Sequence, residues 1–428
     1  MIRLTSVLLY LSLLMNGAVA HAQTKPANAD AMVKKIASSG PFRKAAAALE
    51  AGHDQWVKDL VTLTEIAAPP FKETARARVF AAMLRKRGLV DVEIDEEGNV
   101  LGRRPGSVAG KAVMVTAHLD TVFPEATDVQ VRREGDKLHA PGIGDDSAGL
   151  STMLALIDAM NAGGVKTRSD IIFVGTVGEE GLGDLRGVRH LFAKGKYKDQ
   201  VRAFFSIDDT GLEEITTQAL GSKRYRVTYK GPGGHSYGAF GIVNPMAALG
   251  RMVTDLYAIS APTRPKTTYS ASVVGGGTSV NAIPQEVWIE VDMRSESPEE
   301  LVKLERQFLA IVKRSVEEEN AARSTKAGAV SAEPKVIGDR PAGQNAPGAD
   351  IVQFTKAAYR SQNIEVKDGI SSTDANIPMS LGIPSVTLAG NAIGDRAHAP
   401  DEWIDPNKAA NVKLKRILLT SLLAAAGN

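Results

Sequence analysis

The sequence predicts an α/β protein of two domains, in which a mostly parallel sheet is flanked by helices and a smaller α+β domain is inserted. Three observations support this prediction. The chain has 428 residues, which is enough for two domains. Short apolar runs typical of buried strands alternate with helical segments in its first and last parts. In the middle, apolar and polar residues alternate strictly, as in half-exposed antiparallel strands.

The predicted parallel strands are short apolar runs, and most of them end in polar residues or are followed closely by them. They cover residues 111–117, 170–175, 202–208 and 383–389. Amphipathic helices are expected over 30–62 and 72–88. The segment 147–162 also places its larger apolar side chains on one helical face. Strands that alternate with helices in this way indicate a sheet covered by helices.

The inserted domain is predicted over residues 218–332, which divides the α/β domain into 23–217 and 333–428. Three segments with strand-like alternation fall in it, namely SKRYRVTYKG, TTYSASVVGG and EVWIEVDMRS. Two helices are expected to start after the N-cap residues Asn244 and Ser297, because each is followed by a proline that fits the first helical turn.

The first 22 residues have the pattern of a cleaved export signal. Arg3 precedes an apolar run at 7–15, and Ala20-His21-Ala22 offers a cleavage site, with 18–20 as an earlier one. The apolar run is too short to span a bilayer as a helix. The mature chain is therefore expected to be periplasmic or secreted, with no membrane attachment after cleavage.

Composition excludes several classes of function. Lys and Arg total 51 against 49 Asp and Glu, so the net charge is only +2. This balance gives no basic surface for nucleic acid or for an anionic membrane. There are no cysteines, which excludes disulfides, thiolate nucleophiles and cysteine-ligated zinc.

Side chains that can bind metal ions occur in five segments of the α/β part. The segments AHLDTVFP, GIGDDSAG, VGEEG, SIDDTG and RAHAPDEW contain His118, Asp120, Asp145, Asp146, Glu179, Glu180, Asp208, Asp209 and His398. One such motif alone is weak evidence for a metal site, since an acidic pair in a loop is usually solvated. Because the carboxyl ends of parallel strands meet at one edge of a sheet, we expect these side chains to lie together.

The combined set predicts a site for two divalent cations. The expected ligands are His118, His398, Asp145, Glu180 and Asp208. Three carboxylates and one hydroxide would neutralise the charge of two such cations. Paired cations repel unless a carboxylate bridges them, and Asp145 would serve as that bridge. Mixed imidazole and carboxylate ligands suit zinc, with cobalt or manganese as alternatives.

Two further carboxylates are expected to support this site. Glu179 is adjacent to Glu180 and cannot easily reach the same ion, so it is expected to act as a general base on a water at the metal site. Asp120 lies two residues after His118 and therefore points the same way along an extended strand. There it is expected to accept the second imidazole N–H of His118.

These motifs, in this order, resemble the M20 family of metallopeptidases, a superfamily that includes peptidase T, glutamate carboxypeptidase and aminoacylase-1. The resemblance covers nearly the whole mature chain. It implies a zinc-peptidase fold with Asp145 as the bridge, Glu179 as the base and a cis peptide bond between Asp145 and Asp146. The terminal ligands that it implies are His118, Glu180, Asp208 and His398. One departure is Ser147, where many members carry a lysine that is not a ligand.

The same resemblance makes the inserted domain a lid and dimerisation domain, and it implies a homodimer. GPGGHSYG supplies His235, which such proteins place in the partner subunit's active site to steady the oxyanion. GGGTSVNAIP supplies Asn281 and VDMRS supplies Arg294. Both resemble positions that hold a substrate carbonyl or carboxylate, for which a guanidinium is well shaped.

The sequence therefore predicts an exported di-zinc metallo-exopeptidase that acts on small peptides. Asp208 favours an amino- or dipeptidase because, by resemblance, carboxypeptidases and deacylases more often carry Glu there. A carboxypeptidase or an N-acyl amino acid amidohydrolase, with an acyl-amino acid as substrate, remains an alternative.

Two alternatives belong to other functional classes. A non-catalytic binding protein would require the loss of a ligand or of the base, and all six of these residues are present. A serine hydrolase would use Ser236 in a G-x-S-x-G motif, with Asp374 and His398 following in the order of an α/β-hydrolase triad. Gly241 and Pro245 interrupt the helix that such a nucleophile requires.

Overall fold

The structure is a computed structural model that describes residues 26–427. The predicted export signal, residues 1–22, lies outside the described residues. The α-helices of the described part are, in chain order, α1 (Pro26–Ser38), α2 (Gly40–Ala51), α3 (His53–Thr64), α4 (Thr74–Lys86), α5 (Gly149–Gly163), α6 (Arg186–Ala193), α7 (Pro245–Leu256), α8 (Pro298–Ala322), α9 (Asp350–Ser361), α10 (Asn376–Ser380) and α11 (Lys408–Ala426).

The strands range from two to ten residues in length. They are β1 (Val90–Ile94), β2 (Val100–Arg104), β3 (Ala112–His118), β4 (Arg132–Glu134), β5 (Lys137–His139), β6 (Asp170–Thr176), β7 (Val201–Ile207), β8 (Glu214–Ala219), β9 (Gly221–Lys230), β10 (Gly234–His235), β11 (Thr267–Gly276), β12 (Ala282–Ile283), β13 (Glu286–Ser295), β14 (Ser331–Arg340), β15 (Gly343–Gln344), β16 (Lys367–Ser371), β17 (Ser385–Leu388), β18 (Gly394–Asp395) and β19 (Trp403–Ile404).

The helical segment predicted over 30–62 is broken into three helices. Ser39 has an extended backbone, and its side chain accepts the N–H of Phe42, so it ends α1 and caps α2. Gly52 then separates α2 from α3. In the inserted region, Asn244 and Ser297 cap α7 and α8 as predicted. None of the helices in residues 26–427 combines the length and apolar character needed to cross a bilayer.

A nine-stranded, mostly parallel sheet forms the centre of the α/β part. Its strand order is β1-β2-β6-β3-β7-β17-β8-β15, and β16 pairs with β8. The four central strands β6, β3, β7 and β17 are mutually parallel, whereas β1 and β2 add an antiparallel edge. The carboxyl ends of the four parallel strands therefore lie at one edge of the sheet.

Helices cover both faces of this sheet. Alternate residues of β3 point to opposite sides: Val113 and Val115 pack into one core with α2, α5 and α11, whereas Met114 packs into another with α6 and α10. Each fully buried aliphatic or aromatic side chain of these cores contributes about 1.5–3 kcal/mol of transfer free energy. This double coverage explains why the central strands are apolar along their whole length.

A second sheet of four antiparallel strands, in the order β11-β13-β9-β14, is built from the inserted region. Helices α7 and α8 pack on it around a separate core that includes Val227, Val291 and Phe308. Strand β14 pairs with β9 from Ser331 to Arg340, so this sheet extends beyond residue 332. Arg340, at its end, thereby reaches the α/β part of the molecule.

Candidate metal centre

Three parallel strands deliver polar side chains to one edge of the main sheet. His118 is the last residue of β3 and pairs in register with Thr176, the last residue of β6. Glu179 and Glu180 lie in the turn after β6, and Asp208 directly follows β7. All four side chains are buried, with at most 8% of each residue exposed. The strand ends thus bring together residues that are far apart in the sequence, as predicted.

Asp145 reaches the same edge from an irregular helical turn, Ile143–Ala148, which precedes α5. The peptide bond between Asp145 and Asp146 is cis, as the resemblance implies. Glu402 holds this turn from the other side: its carboxylate accepts the backbone N–H groups of Gly142, Gly144 and Asp145 at 2.7–2.9 Å. No role is predicted from the sequence for Glu402, although it lies in the same RAHAPDEW segment as His398.

The two carboxylate oxygens of Asp145 face two different histidines. Oδ1 lies 2.8 Å from Nε2 of His118, and Oδ2 lies 3.0 Å from Nε2 of His398. Nε2 of His118 is also 3.8 Å from Asp208, and Nε2 of His398 is 2.9 Å from Glu180. Asp145 therefore belongs to two separate groups of candidate ligands, one with His118 and Asp208 and the other with Glu180 and His398.

The orientation of His118 leaves its Nε2 atom free to bind a cation. Its Nδ1 lies 3.0 Å from the backbone carbonyl oxygen of Asp120. A carbonyl oxygen can only accept, so the proton of the neutral ring is on Nδ1 and a lone pair remains on Nε2. The buried Oδ1 of Asp145, opposite this lone pair, then has no hydrogen-bond donor in the described part of the chain. An imidazole lone pair facing a carboxylate oxygen that lacks a donor is an arrangement that a divalent cation fits.

The carboxylate of Asp120 has different partners from those expected from the sequence. It lies 3.8 Å from Nδ1 of His118, beyond hydrogen-bond distance. Its two oxygens instead accept the backbone N–H groups of Glu179 and Glu180, at 3.0 and 2.8 Å. Gly178 adopts a left-handed conformation with a φ of 64°, and the turn that follows presents these two successive N–H groups to Asp120. Asp120 thus holds the turn that carries both glutamates, while only its carbonyl group orients His118.

Positive charge at this site stabilises its carboxylates. Burial and the neighbouring Asp145 raise the pKa of Glu180 to about 8. Hydrogen bonds with Asp145 and Glu180 raise the pKa of His398 to about 11. The carboxylates of Asp145 and Glu180 therefore favour a proton on His398, and a divalent cation would supply the same compensation.

Glu179 is paired with an arginine for which the sequence predicts no role. Nη1 of Arg340 donates to Oε1 of Glu179 at 2.8 Å, and Nη2 donates to the carbonyl oxygen of the same residue. Both side chains are about 5% exposed. Burial raises the pKa of Glu179, whereas the charge of Arg340 acts to lower it. Arg340 lies 161 residues away in a Gly- and Pro-rich segment, where the sequence carried no signal for this contact.

The residues of the serine-hydrolase alternative do not form a triad. His398 bonds Glu180 and Asp145, and Asp374 accepts the hydroxyl hydrogen of Thr176 at 2.5 Å. Within residues 26–427, no hydrogen bond joins Ser236 to either of them. Asp374 is buried beside Glu179, and burial followed by the charge of Glu179 raises its pKa to about 7.

The candidate substrate-binding residues lie apart from this cluster within one chain. His235 and Asn281 are exposed neighbours on the short β10–β12 ribbon, where the N–H of Ser236 donates to the carbonyl oxygen of Asn281. The side chain of Arg294, on β13, is 39% exposed and donates to Asp292. In the described residues none of the three bonds a member of the metal-ligand cluster.

Sequence comparison identifies related proteins. A profile of peptidase family M20/M25/M40 matches residues 114–422. Uncharacterized protein YqjE of Bacillus subtilis (strain 168) is 25% identical over 335 residues, which cover 73% of this chain and 84% of that protein. Carboxypeptidase G2 of Pseudomonas sp. (strain RS-16) is 24% identical over 199 residues, or 46% of this chain and 47% of that enzyme.

Solved structures share the fold at low sequence identity. Aminopeptidase PepT from Bacillus cereus gives a TM-score of 0.68 at 20% identity, over 87% of this chain and 99% of that one. A tripeptidase from Staphylococcus aureus gives 0.70 at 18% identity, with the same coverage. YXEP of Bacillus subtilis, a dinuclear metal binding peptidase from the M20 family, gives 0.62 at 16% identity, over 88% of this chain and 99% of that one.

Proposed function

The chain belongs to peptidase family M20/M25/M40 and is a metal-dependent peptidase or amidohydrolase. We propose that it is an exported di-zinc exopeptidase acting on small peptides. The observation that supports the proposal most directly is the position of Asp145. Its two oxygens face two histidines, each of which has a further carboxylate beside it. Such a shared carboxylate is what a pair of cations needs to overcome their mutual repulsion.

In this proposal the donor set determines how two cations are held. Asp145 would be shared by both cations, His118 and Asp208 would complete one site, and Glu180 and His398 would complete the other. Zinc suits imidazole and carboxylate ligands, with cobalt and manganese as alternatives. Bound there, the cations supply Lewis-acid polarisation of the scissile carbonyl and lower the pKa of water.

Glu179 is proposed as the general base. Arg340 occupies its Oε1 atom and its carbonyl group, so Oε2 is the oxygen left to accept a proton from water and to pass it to the leaving nitrogen. Asp120 fixes the backbone of the same turn through the N–H groups of Glu179 and Glu180. Proton transfer therefore takes place from a side chain with little rotational freedom.

His235 is proposed to act in the partner subunit of a homodimer. Its Nδ1 accepts the backbone N–H groups of Tyr237 and Gly238, so the proton of the neutral ring is on Nε2, where it can be donated to an oxyanion. The side chain is exposed, and within residues 26–427 it forms no hydrogen bond with the candidate ligands of its own chain. Beside the same ribbon, Tyr237, Phe240 and Val280 are each at least 89% exposed. Exposed apolar side chains at this density favour a subunit interface.

The proposed substrate is a short peptide with a free amino terminus. Arg294 is proposed to bind its terminal carboxylate and Asn281 a carbonyl group, and Asp208 supports the amino- or dipeptidase reading. The solved aminopeptidase and tripeptidase share this fold. Carboxypeptidase G2 matches part of the chain, which favours a carboxypeptidase or N-acyl amino acid amidohydrolase as the second candidate. Export to the periplasm or beyond is also proposed, from the signal-like residues 1–22.

The test uses purified protein that begins near Gln23. Bound metal is quantified, and hydrolysis of di- and tripeptides is compared with that of their N-acetylated forms, with and without a chelator. Chelator-sensitive cleavage of the free-amine peptides alone is the expected result. Cleavage of the acylated set would support the second candidate instead. Protein that binds no metal and cleaves neither set would overturn the enzymatic assignment and support a binding protein.

A further inference from the structure

The turn that carries both active-site glutamates is attached to the second sheet. We call residues 178–185, between β6 and α6, the base loop. Its far end contains Asp184, whose two carboxylate oxygens both accept the N–H of Asp339 on β14 at 3.0 Å. Its middle is bonded to β9 of the same sheet, since Nη1 of Arg224 donates to the carbonyl oxygen of Gly181 at 3.2 Å.

Arg340 completes this attachment at the glutamate itself. It is the last residue of β14, and its guanidinium donates to the side chain and to the carbonyl group of Glu179. A third donation goes to the hydroxyl of Ser372 at 3.2 Å, and Asp184 lies 3.9 Å from Nε. One buried guanidinium thus bonds the side chain and the main chain of the same residue, which fixes that residue's rotamer.

We propose, on the basis of the function proposed above, that Arg340 is a positioning residue: it holds Glu179 in its reactive orientation and makes that orientation depend on the docking of β14 against the base loop. The second sheet, through β14, would then take part in the active site. It supplies Arg340, whose hydrogen bonds orient Glu179, so a displacement of β14 would break those bonds.

The backbone of the base loop supports this dependence. Asp184 and Leu185 both adopt left-handed conformations, with φ values of 49° and 61°, which non-glycine residues seldom adopt. Such a conformation persists only where its surroundings enforce it. Here the bonds from Asp339 to Asp184 do so from the second sheet, and Arg189 adds bonds to Asp184 and to the carbonyl group of Asp339.

An alternative role for Arg340, binding of a substrate carboxylate, fits the observations less well. Both of its terminal nitrogens already bond Glu179, and its side chain is 5% exposed. The side chain of Arg294, the proposed substrate ligand, is 39% exposed, and its hydrogen bond within residues 26–427 goes to Asp292. Positioning and substrate binding also differ in their kinetic effects, because the former acts on kcat and the latter on KM.

The experiment compares Arg340→Ala and Arg340→Lys with Arg226→Ala, a control on β9 whose exposed guanidinium pairs with Glu290. Metal content and kinetics are measured on the peptide that wild-type protein cleaves best. We expect Arg340→Ala to bind metal as wild type does, to lose about 100-fold in kcat and to keep its KM. Added guanidinium ion should restore part of the kcat that Arg340→Ala loses. Arg340→Lys should not restore it, because an ammonium group cannot bond the side chain and the carbonyl group of Glu179 together as the planar guanidinium does. The control should behave as wild type.

Hydrogen–deuterium exchange of residues 178–186 provides a readout that needs no activity. Arg340→Ala and Asp184→Ala should both speed exchange in the base loop, and Asp184→Ala should also lower kcat although it lies outside the reacting groups. A raised KM with unchanged kcat, or unchanged exchange in both variants, would overturn the proposal. If wild-type protein cleaves no peptide, the proposed function fails, and the exchange result alone decides whether β14 holds the loop. Rescue of kcat by added guanidinium ion distinguishes lost positioning from misfolding, because the ion can restore activity only to a variant that is already folded.

Discussion

At the scale of single residues, the candidate metal centre depends on how Asp145 is held in place. Asp145 meets imidazole on both sides, and its own turn is held by Glu402, which is 1% exposed and accepts three backbone N–H groups. Burial, with the neighbouring Asp145 as a smaller cause, raises the pKa of Glu402 to about 7. The carboxylate of Asp145 is thus placed by a second carboxylate, whose hydrogen bonds within residues 26–427 all come from main-chain N–H groups.

Glu179→Gln tests the base assignment. Glutamine keeps an oxygen that can accept from Arg340, so the loop should remain in place, but it cannot take a proton. We expect metal content to be unchanged and kcat to fall by about 10²–10⁴-fold. Metal analysis and steady-state kinetics on the same preparation check this, and near-normal kcat would exclude Glu179 as the base.

Asp120→Ala tests the support of the glutamate turn. The substitution removes the acceptor of two buried N–H groups, so Glu180 should be held less firmly as a ligand. We expect metal affinity to fall by about 10–100-fold. Competition with a chelator measures the affinity, and Asp120→Asn, which keeps one acceptor oxygen, should lose less. Equal metal retention in wild type and Asp120→Ala would argue against this role.

At the scale of secondary-structure elements, helix α11 carries a buried lysine outside the candidate metal centre. Lys415 is 1% exposed, and its Nζ has no hydrogen-bond partner within residues 26–427. The atom lies 3.4 Å from the centre of the Trp56 ring, which offers only a cation–π contact. Burial lowers the pKa of this lysine well below its ordinary value.

Lys415→Met should therefore stabilise the protein near neutral pH. A base whose pKa is lower in the folded state binds fewer protons when folded than when unfolded, so wild-type stability rises with pH up to the ordinary lysine pKa of about 10.4. The stabilisation by methionine should be about 1 kcal/mol or more at neutral pH and should shrink as the pH approaches that value. Thermal unfolding at several pH values measures it.

Lys413→Met is the matched control on the same helix. Lys413 is only partly buried, so its replacement should change Tm little at any pH. A lower Tm for Lys415→Met across the whole pH range would show that the cation–π contact outweighs the cost of burying the amine.

At the scale of the whole molecule, the proposed active site is composite. The metal-ligand cluster lies on the main sheet, while His235 is exposed on a ribbon that also exposes Tyr237 and Phe240. Strand β11, with Val273 and Val274 exposed, is an edge of the second sheet in the described part of the chain. Edge strands and apolar patches of this kind favour pairing with another chain.

Mixing two inactive variants tests the composite site. In a hybrid dimer of His235→Ala and Glu179→Gln, one site regains both an intact base and a partner histidine. An equal mixture should recover roughly a quarter of wild-type activity, because about half of randomly formed dimers are hybrids with one complete site each. Activity is measured after subunit exchange under mild denaturant.

Each variant treated alone in the same way provides the control and should stay inactive. Sedimentation or light scattering shows whether dimers form and exchange. Recovery of no activity despite demonstrated exchange would place His235 outside the partner's site.

The sequence by itself determined the fold class and the positions of the central strands. Apolar runs predicted β3, β6, β7 and β17 to within a few residues, because a strand covered on both faces must be apolar throughout. Because parallel strands end at the same edge of a sheet, this topology also predicted that His118, Glu180 and Asp208 lie together. The helical character predicted over 30–62 was confirmed, and Ser39 and Gly52 divide the segment into three helices.

Only the tertiary structure decided which polar groups pair. Asp120 was expected to bond the His118 ring, yet its carboxylate bonds the turn of Glu179 and Glu180 because that turn presents two N–H groups at closer range. The pairing of Arg340 with Glu179 joins residues 161 positions apart. Periodicity records which side of an element faces a core, whereas the partner of a buried charge depends on how distant elements dock, and no local pattern encodes that.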